Sequence, residues 1–132
     1  MSADQRYLDV SAIVKLVVAE PESPALEAWL DASPDAFVSC ALARTEVVRA
    51  VLPAGPAAIR RARRLLDRLD LIMVDDELLD LAADLEKPLR SLDAIPVAAA
   101  MELGDQLEAL VTYDATMARV AEALGLPVLA PA

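Results

Sequence analysis

Arg6-Tyr7-Leu8-Asp9 and Leu110-Val111-Thr112-Tyr113-Asp114 are short apolar runs that each arrive at an aspartate. Runs of this length read as strands buried on both faces. Behind the first, Ser11 to Ala19 reads as a helix, with Ser11 in the N-cap position. Behind the second, which reads as a strand over Leu110 to Tyr113, Ala115 to Leu124 reads as a helix closed by Gly125. Strands alternating with helices predict a parallel sheet covered by helices on both faces.

The alternation continues between these two stretches. Residues 22–32 form an amphipathic segment with Leu26, Trp29 and Leu30 at helical spacing. Ser33-Pro34-Asp35 reads as a turn and Ala36 to Cys40 as a second strand. Helices are expected over 43–52, ended by Pro53 and Gly55, over 56–69, and over 76–85. Leu71 to Val74 reads as a third strand and Pro127 to Leu129 as a last one. A further helix starts near Asp93 and stops at Gly104. There is no repeat and no long linker, so residues 1–132 are read as a single domain of α/β class.

Composition narrows the chemistry. The chain is 57% apolar, enough for one sizeable core, yet no run approaches the ~20 residues that span a bilayer. Met1 to Arg6 lacks the charge order and cleavage site of a secretory signal, so the expected location is the cytoplasm. Cys40 is the only cysteine; no internal disulfide can form, and a small buried apolar role is expected. With 22 acids against 12 bases the formal charge is -10, unlike a nonspecific nucleic-acid coat. Aromatics at 3% argue against an extended base-stacking platform. There is no histidine, which excludes His-dependent triads and His-rich zinc sites. A strong metal site here is built from oxygen, and oxygen favours Mg²⁺ or Mn²⁺.

In such sheets ligands sit beyond the carboxyl ends of the strands. Asp9 and Asp114 lie at two of those ends, Asp93 where a helix begins, and Glu46 in the first turns of the helix after the second strand. Each has a plainer reading. Asp93 and Asp114 could be helix caps, and Glu46 could be a solvated helix residue. Asp9 interrupts an apolar run and is harder to explain that way. Gathered together, such carboxylates repel one another, and a divalent cation removes the conflict while activating water against a phosphate.

The chain also resembles a known family. Tyr7-Leu8-Asp9-Val10-Ser11-Ala12-Ile13-Val14-Lys15-Leu16 resembles the opening of PIN-domain toxins of the VapC type. Ala43-Arg44-Thr45-Glu46-Val47, Leu89-Arg90-Ser91-Leu92-Asp93-Ala94-Ile95 and Leu110-Val111-Thr112-Tyr113-Asp114 resemble their second, third and fourth motifs, in order. The resemblance implies a three-layer α/β/α PIN-like domain around a short parallel sheet. It implies Mg²⁺- or Mn²⁺-dependent cleavage of structured RNA such as tRNA or rRNA, arresting growth. It implies a cognate VapB-type antitoxin and a homodimer. Matched position by position, Asp9, Glu46, Asp93 and Asp114 are the metal-binding, catalytic acids, with Ser11 and Thr112 as supporting hydroxyls. Val10 and Pro96 depart from the pattern, where many relatives carry Thr or Ser and His respectively.

Other features stand outside these motifs. Arg60, Arg61, Arg63, Arg64 and Arg68 form the only basic cluster, readable as a solvated helix face or as a contact for RNA or an acidic partner. Lys15, Arg44 and Arg90 each lie close in sequence to a candidate acid and read as bystanders or ion-pair partners. Val14, Val17 and Val18 could serve the core or a partner surface. Two competing functions remain at this level. One is a signalling receiver domain with Asp75 and Asp76 as phosphoacceptor region, although no lysine follows in the last strand. The other is a catalytically silent PIN-like binding module.

Overall fold

The computed structural model describes residues 5–32 and 37–132. The turn expected at Ser33-Pro34-Asp35, with Ala36 and the first residues of the chain, lies outside the described residues. Among the described residues five strands form one sheet: β1 (Gln5–Leu8), β2 (Phe37–Cys40), β3 (Asp70–Ile72), β4 (Leu107–Val111) and β5 (Val128–Leu129). Every pairing is parallel and the order is β3-β2-β1-β4-β5. The helices are α1 (Val10–Val17), α2 (Ser23–Asp31), α3 (Ala43–Val51), α4 (Pro56–Arg68), α5 (Asp76–Ala83), α6 (Ser91–Glu102) and α7 (Ala115–Ala123). None of the described helices is long and apolar enough to cross a membrane.

The sheet separates two cores, because successive side chains of a strand point to opposite faces. Leu8, Ala109 and Val111 join Ile13, Leu26, Val47 and Leu66 on the face of α1–α4. Tyr7, Val38 and Leu110 join Leu78, Ala98 and Ala121 on the face of α5–α7. The result is the expected three-layer α/β/α arrangement. α4 shows how its pattern works: Ala58, Ala62 and Leu66, four residues apart, are its buried stripe, and its arginines face outward. α6 has no polar stripe in its body. Ala94 to Ala100 are all buried, as suits a helix hidden on every side.

From β1 the chain builds outward through β2 to β3, then returns to the other side of β1 with β4 and β5. The order of the strands therefore reverses beside β1, and a crevice opens between the segments leaving β1 and β4. A receiver domain has the order 2-1-3-4-5 instead. Asp75, its suggested phosphoacceptor, serves here as the N-cap of α5, accepting from the Leu78 N–H at 2.9 Å.

Some boundaries differ from the sequence reading, each for a local reason. β4 begins at Leu107, earlier than expected, because Glu108 lies inside it. That acid is answered across the sheet by the buried Arg6, whose Nε donates to Glu108 Oε2 at 2.6 Å. Arg6 is further covered by the Trp29 ring at 4.5 Å. The N-cap of α1 is Asp9 and not Ser11: Asp9 is extended, and the helix begins at Val10. Likewise α6 starts at Ser91 after an extended Arg90, so Asp93 falls within the first turn. Pro96 sits well inside that helix, where its ring nitrogen cannot donate to the preceding turn. Cys40 is buried at the end of β2, as expected of a small apolar residue, and burial raises its thiol pKa.

Candidate active site

Asp9 follows the last residue of the central strand and is only 6% exposed. Its Oδ2 accepts from Ser11 Oγ and from Thr112 Oγ1, both at 3.0 Å, and lies 3.5 Å from the Ser11 N–H. A hydroxyl carries one proton. Both protons are therefore spent on Asp9, and the oxygen lone pairs are left for the backbone. Ser11 Oγ accepts from the Tyr113 N–H at 2.9 Å, and Thr112 Oγ1 from the Asp114 N–H at 3.1 Å. Two hydroxyls thus tie the start of α1 to the segment leaving β4. Oδ1 of Asp9 takes part in none of these bonds.

Asp114 is the N-cap of α7; its Oδ1 accepts from the Met117 N–H at 3.0 Å. The plainer reading of this residue as a cap is correct, but the same residue also lines the crevice. Glu46 comes from the first turn of α3, and Asp93 from the first turn of α6. Asp93 is paired with the largely exposed Arg90, Nε to Oδ2 at 3.2 Å. Asp9, Glu46, Asp93 and Asp114 all line one pocket of about 460 Å³, together with Ser11, Lys15, Glu20, Tyr113 and Pro96.

The electrostatics follow from this crowding. Burial raises the Asp9 carboxyl above the ordinary range, and the hydrogen bonds from Ser11 and Thr112 pull only partly against it. Burial also raises Glu46, and the negative charges of Asp9 and Asp93 add to the rise. The pocket has an all-oxygen acidic donor set with no histidine or cysteine in its lining, which suits a hard cation. Among the described residues, no three of these acids already close around one point as a finished cage. Ion binding would have to draw them together or leave water between some of them.

Several residues of the pocket escaped the sequence reading. Glu20 is one, since it belongs to none of the four motifs. Lys15, readable from sequence as a bystander or an ion-pair partner, is among the described residues the only lysine or arginine lining the pocket. It pairs with Glu22 at 2.8 Å and Glu20 at 3.5 Å. Arg44, by contrast, turns away to Asp67 on the surface at 3.2 Å. Val17 belongs to the core, Val18 packs against it, and Val14 lines the pocket. Arg61, Arg64 and Arg68 of α4 flank Leu16, which lies on the far side of α1 from Ser11 and Val14.

Comparison with known proteins places the chain in a family. The PIN-domain pattern matches residues 6–123. The chain is 52% identical over 126 residues to Ribonuclease VapC46 of Mycobacterium tuberculosis, spanning 95% of this chain and 96% of that one. The chain belongs to the PIN-domain family, among its VapC ribonucleases. This VapC chain also shares its fold with VapC20 of M. tuberculosis, described as a sarcin-ricin loop cleaving toxin. The TM-score is 0.75 at 16% identity, covering 96% of this chain and 99% of the other. A toxin–antitoxin complex from Klebsiella pneumoniae matches with a TM-score of 0.69 at 22% identity, over 96% and 98% of the two chains.

Proposed function

We propose that the pocket is the active site of a Mg²⁺- or Mn²⁺-dependent endoribonuclease that hydrolyses phosphodiester bonds in structured RNA, tRNA or rRNA. In this reading the protein is the toxin of a toxin–antitoxin pair. It works in the cytoplasm as a homodimer, arrests growth by cutting RNA, and is restrained by a VapB-type antitoxin. The observation that carries the proposal is the convergence of four carboxylates on one pocket, in a chain 52% identical to a ribonuclease. The kinship of the fold with a toxin–antitoxin complex supports the partner.

Asp9 and Asp114 would hold the main cation, since they flank the crevice at the ends of adjacent strands. Asp93 and Glu46 would hold it through water or hold a second one. When bound, the cation supplies a Lewis acid for the phosphoryl oxygen and lowers the pKa of water. Ser11 and Thr112 keep the Asp9 carboxylate in one orientation by donating both their protons to Oδ2. Positioning of this kind is a large part of what a phosphoryl-transfer site contributes.

The test is cleavage of total tRNA and of rRNA by purified protein with Mg²⁺, with EDTA, and with Asp9→Asn. Cleavage that requires the metal and Asp9 is expected. A folded wild-type protein that binds no divalent cation and leaves both RNAs intact would be a silent binding module, and the proposal would fail. Induced expression should stop growth, and co-expression of the antitoxin gene should restore it.

A further inference from the structure

RNA is a polyanion, and the pocket offers it carboxylates on several sides: Asp9, Glu20, Glu46, Asp93 and Asp114. A cation at the scissile phosphate offsets the charge there, but the neighbouring phosphates need another partner. Among the described residues, Lys15 is the one basic side chain in the lining. It stands one helical turn beyond Ser11 on the same face of α1. Its side chain is 11% exposed, and its Nζ lies 4.7 Å from the centre of the Tyr113 ring. Tyr113 sits between Thr112 and Asp114, so the ammonium group is held against the segment that carries the site.

Closing the corner between α1 and α2 does not explain this arrangement, because other bonds already close it. Ser23 Oγ donates to the Lys15 carbonyl at 2.6 Å and accepts from the Glu20 N–H at 2.9 Å. Arg61, from α4, fixes the end of α1 separately, donating from Nε and Nη2 to the Val17 carbonyl at 3.2 and 3.1 Å. The Lys15 side chain is a further element, held by two glutamates and an aromatic ring and aimed along the pocket wall. The glutamate ends of this pair are 40% and 33% exposed, and water reaching them limits what the pair adds to stability by itself.

We propose that Lys15 is the RNA-binding cation of this pocket: it contacts a phosphate beside the scissile one, and Glu20 and Glu22 hold its Nζ in place until RNA replaces them. The inference rests on the ribonuclease reading, and it names how that site would grip its substrate.

The experiment follows kcat and KM for total tRNA with Mg²⁺ across a KCl series, for wild type, Lys15→Gln, Lys15→Arg and Glu22→Gln, with thermal unfolding of each. Lys15→Gln should raise KM about tenfold, as loss of one charged hydrogen bond would, with kcat nearly unchanged. The slope of log(kcat/KM) against log[KCl] should become shallower by roughly 0.7–0.9, one phosphate contact. Lys15→Arg should keep the slope. Glu22→Gln, which frees Lys15 from its nearest counter-ion, should leave KM equal to wild type or lower.

If Lys15→Gln and Glu22→Gln instead reduce kcat/KM alike with the wild-type salt slope, the pair is only a strut and the proposal is overturned. If Lys15→Gln does not fold, Glu22→Gln decides: a KM at or below wild type supports the proposal, and a raised KM overturns it. A wild-type protein that cleaves no RNA defeats the ribonuclease reading and this inference together. Cleavage with an unchanged salt slope in Lys15→Gln defeats this one alone.

Discussion

Thr112 Oγ1 donates to Asp9 Oδ2 at 3.0 Å across the junction of the two central strands, joining residues 103 positions apart. The same oxygen accepts the Asp114 N–H, so one hydroxyl orients one candidate metal ligand and the backbone of another.

Replacing Thr112 with Val keeps the shape and removes both bonds. It leaves a buried carboxylate short of a donor and an N–H short of an acceptor, at a cost of about 1–2 kcal/mol. Losing a bond that lowers the Asp9 pKa also raises it further. We expect a lower urea midpoint and a cleavage–pH profile displaced toward alkaline pH. Wild-type values of both would remove Thr112 from the account.

Asp9 and Glu46 keep their protons to higher pH in the folded chain than their ordinary values of 3.8 and 4.5. Folding takes up protons in that interval, so the stability these groups contribute is fully present below the ordinary values. It is lost as pH rises through the raised ones. Metal-free protein should therefore melt at a higher temperature in mild acid than at neutrality, as far as these two groups govern it. Asp9→Asn should flatten that dependence and raise the melting temperature of the neutral, metal-free protein. A profile equally steep in Asp9→Asn would contradict this.

Mg²⁺ or Mn²⁺ should stabilise the protein at neutral pH. At a concentration a hundred times the dissociation constant the gain is about 2.7 kcal/mol. Asp9→Asn and Asp114→Asn should gain much less. Differential scanning fluorimetry with and without EDTA measures this, and identical shifts in all three proteins would remove these acids from ion binding.

The arginines of α4 project from a helix whose buried stripe is Ala58, Ala62 and Leu66; Arg64 lies beside Leu16 on the far side of α1 from the acidic pocket, and Arg60 and Arg63 are exposed. Arg60→Gln, Arg63→Gln and Arg64→Gln combined should leave the salt slope of tRNA cleavage within error and kcat/KM within about twofold. A shallower slope would make this face a second RNA contact.

What could be read directly was local. Tyr7-Leu8-Asp9 and the run ending at Asp114 announce buried strands that stop at acids, and the alternation with helices implies the parallel sheet. What stayed hidden depends on partners distant in the chain. Glu108 obscured the start of β4 because its partner, Arg6, lies on another strand. Ser11 has the composition of a cap, yet its hydroxyl is drawn to Asp9 and Tyr113, and the capping position passes to Asp9. Asp93 missed its expected place because Arg90 takes the extended conformation that precedes a helix. Lys15 could not be assigned until Glu22 and Tyr113 were seen beside it.

Since β1 pairs with β4 at the middle of the sheet, the strand that leads into Asp9 is completed only by one far along the chain. Until synthesis passes residue 114, Asp9 has neither Thr112 to orient it nor Asp114 beside it. A nascent or prematurely terminated chain therefore has half a sheet and no assembled pocket. The chemistry of the pocket is therefore withheld until both sides of the sheet exist.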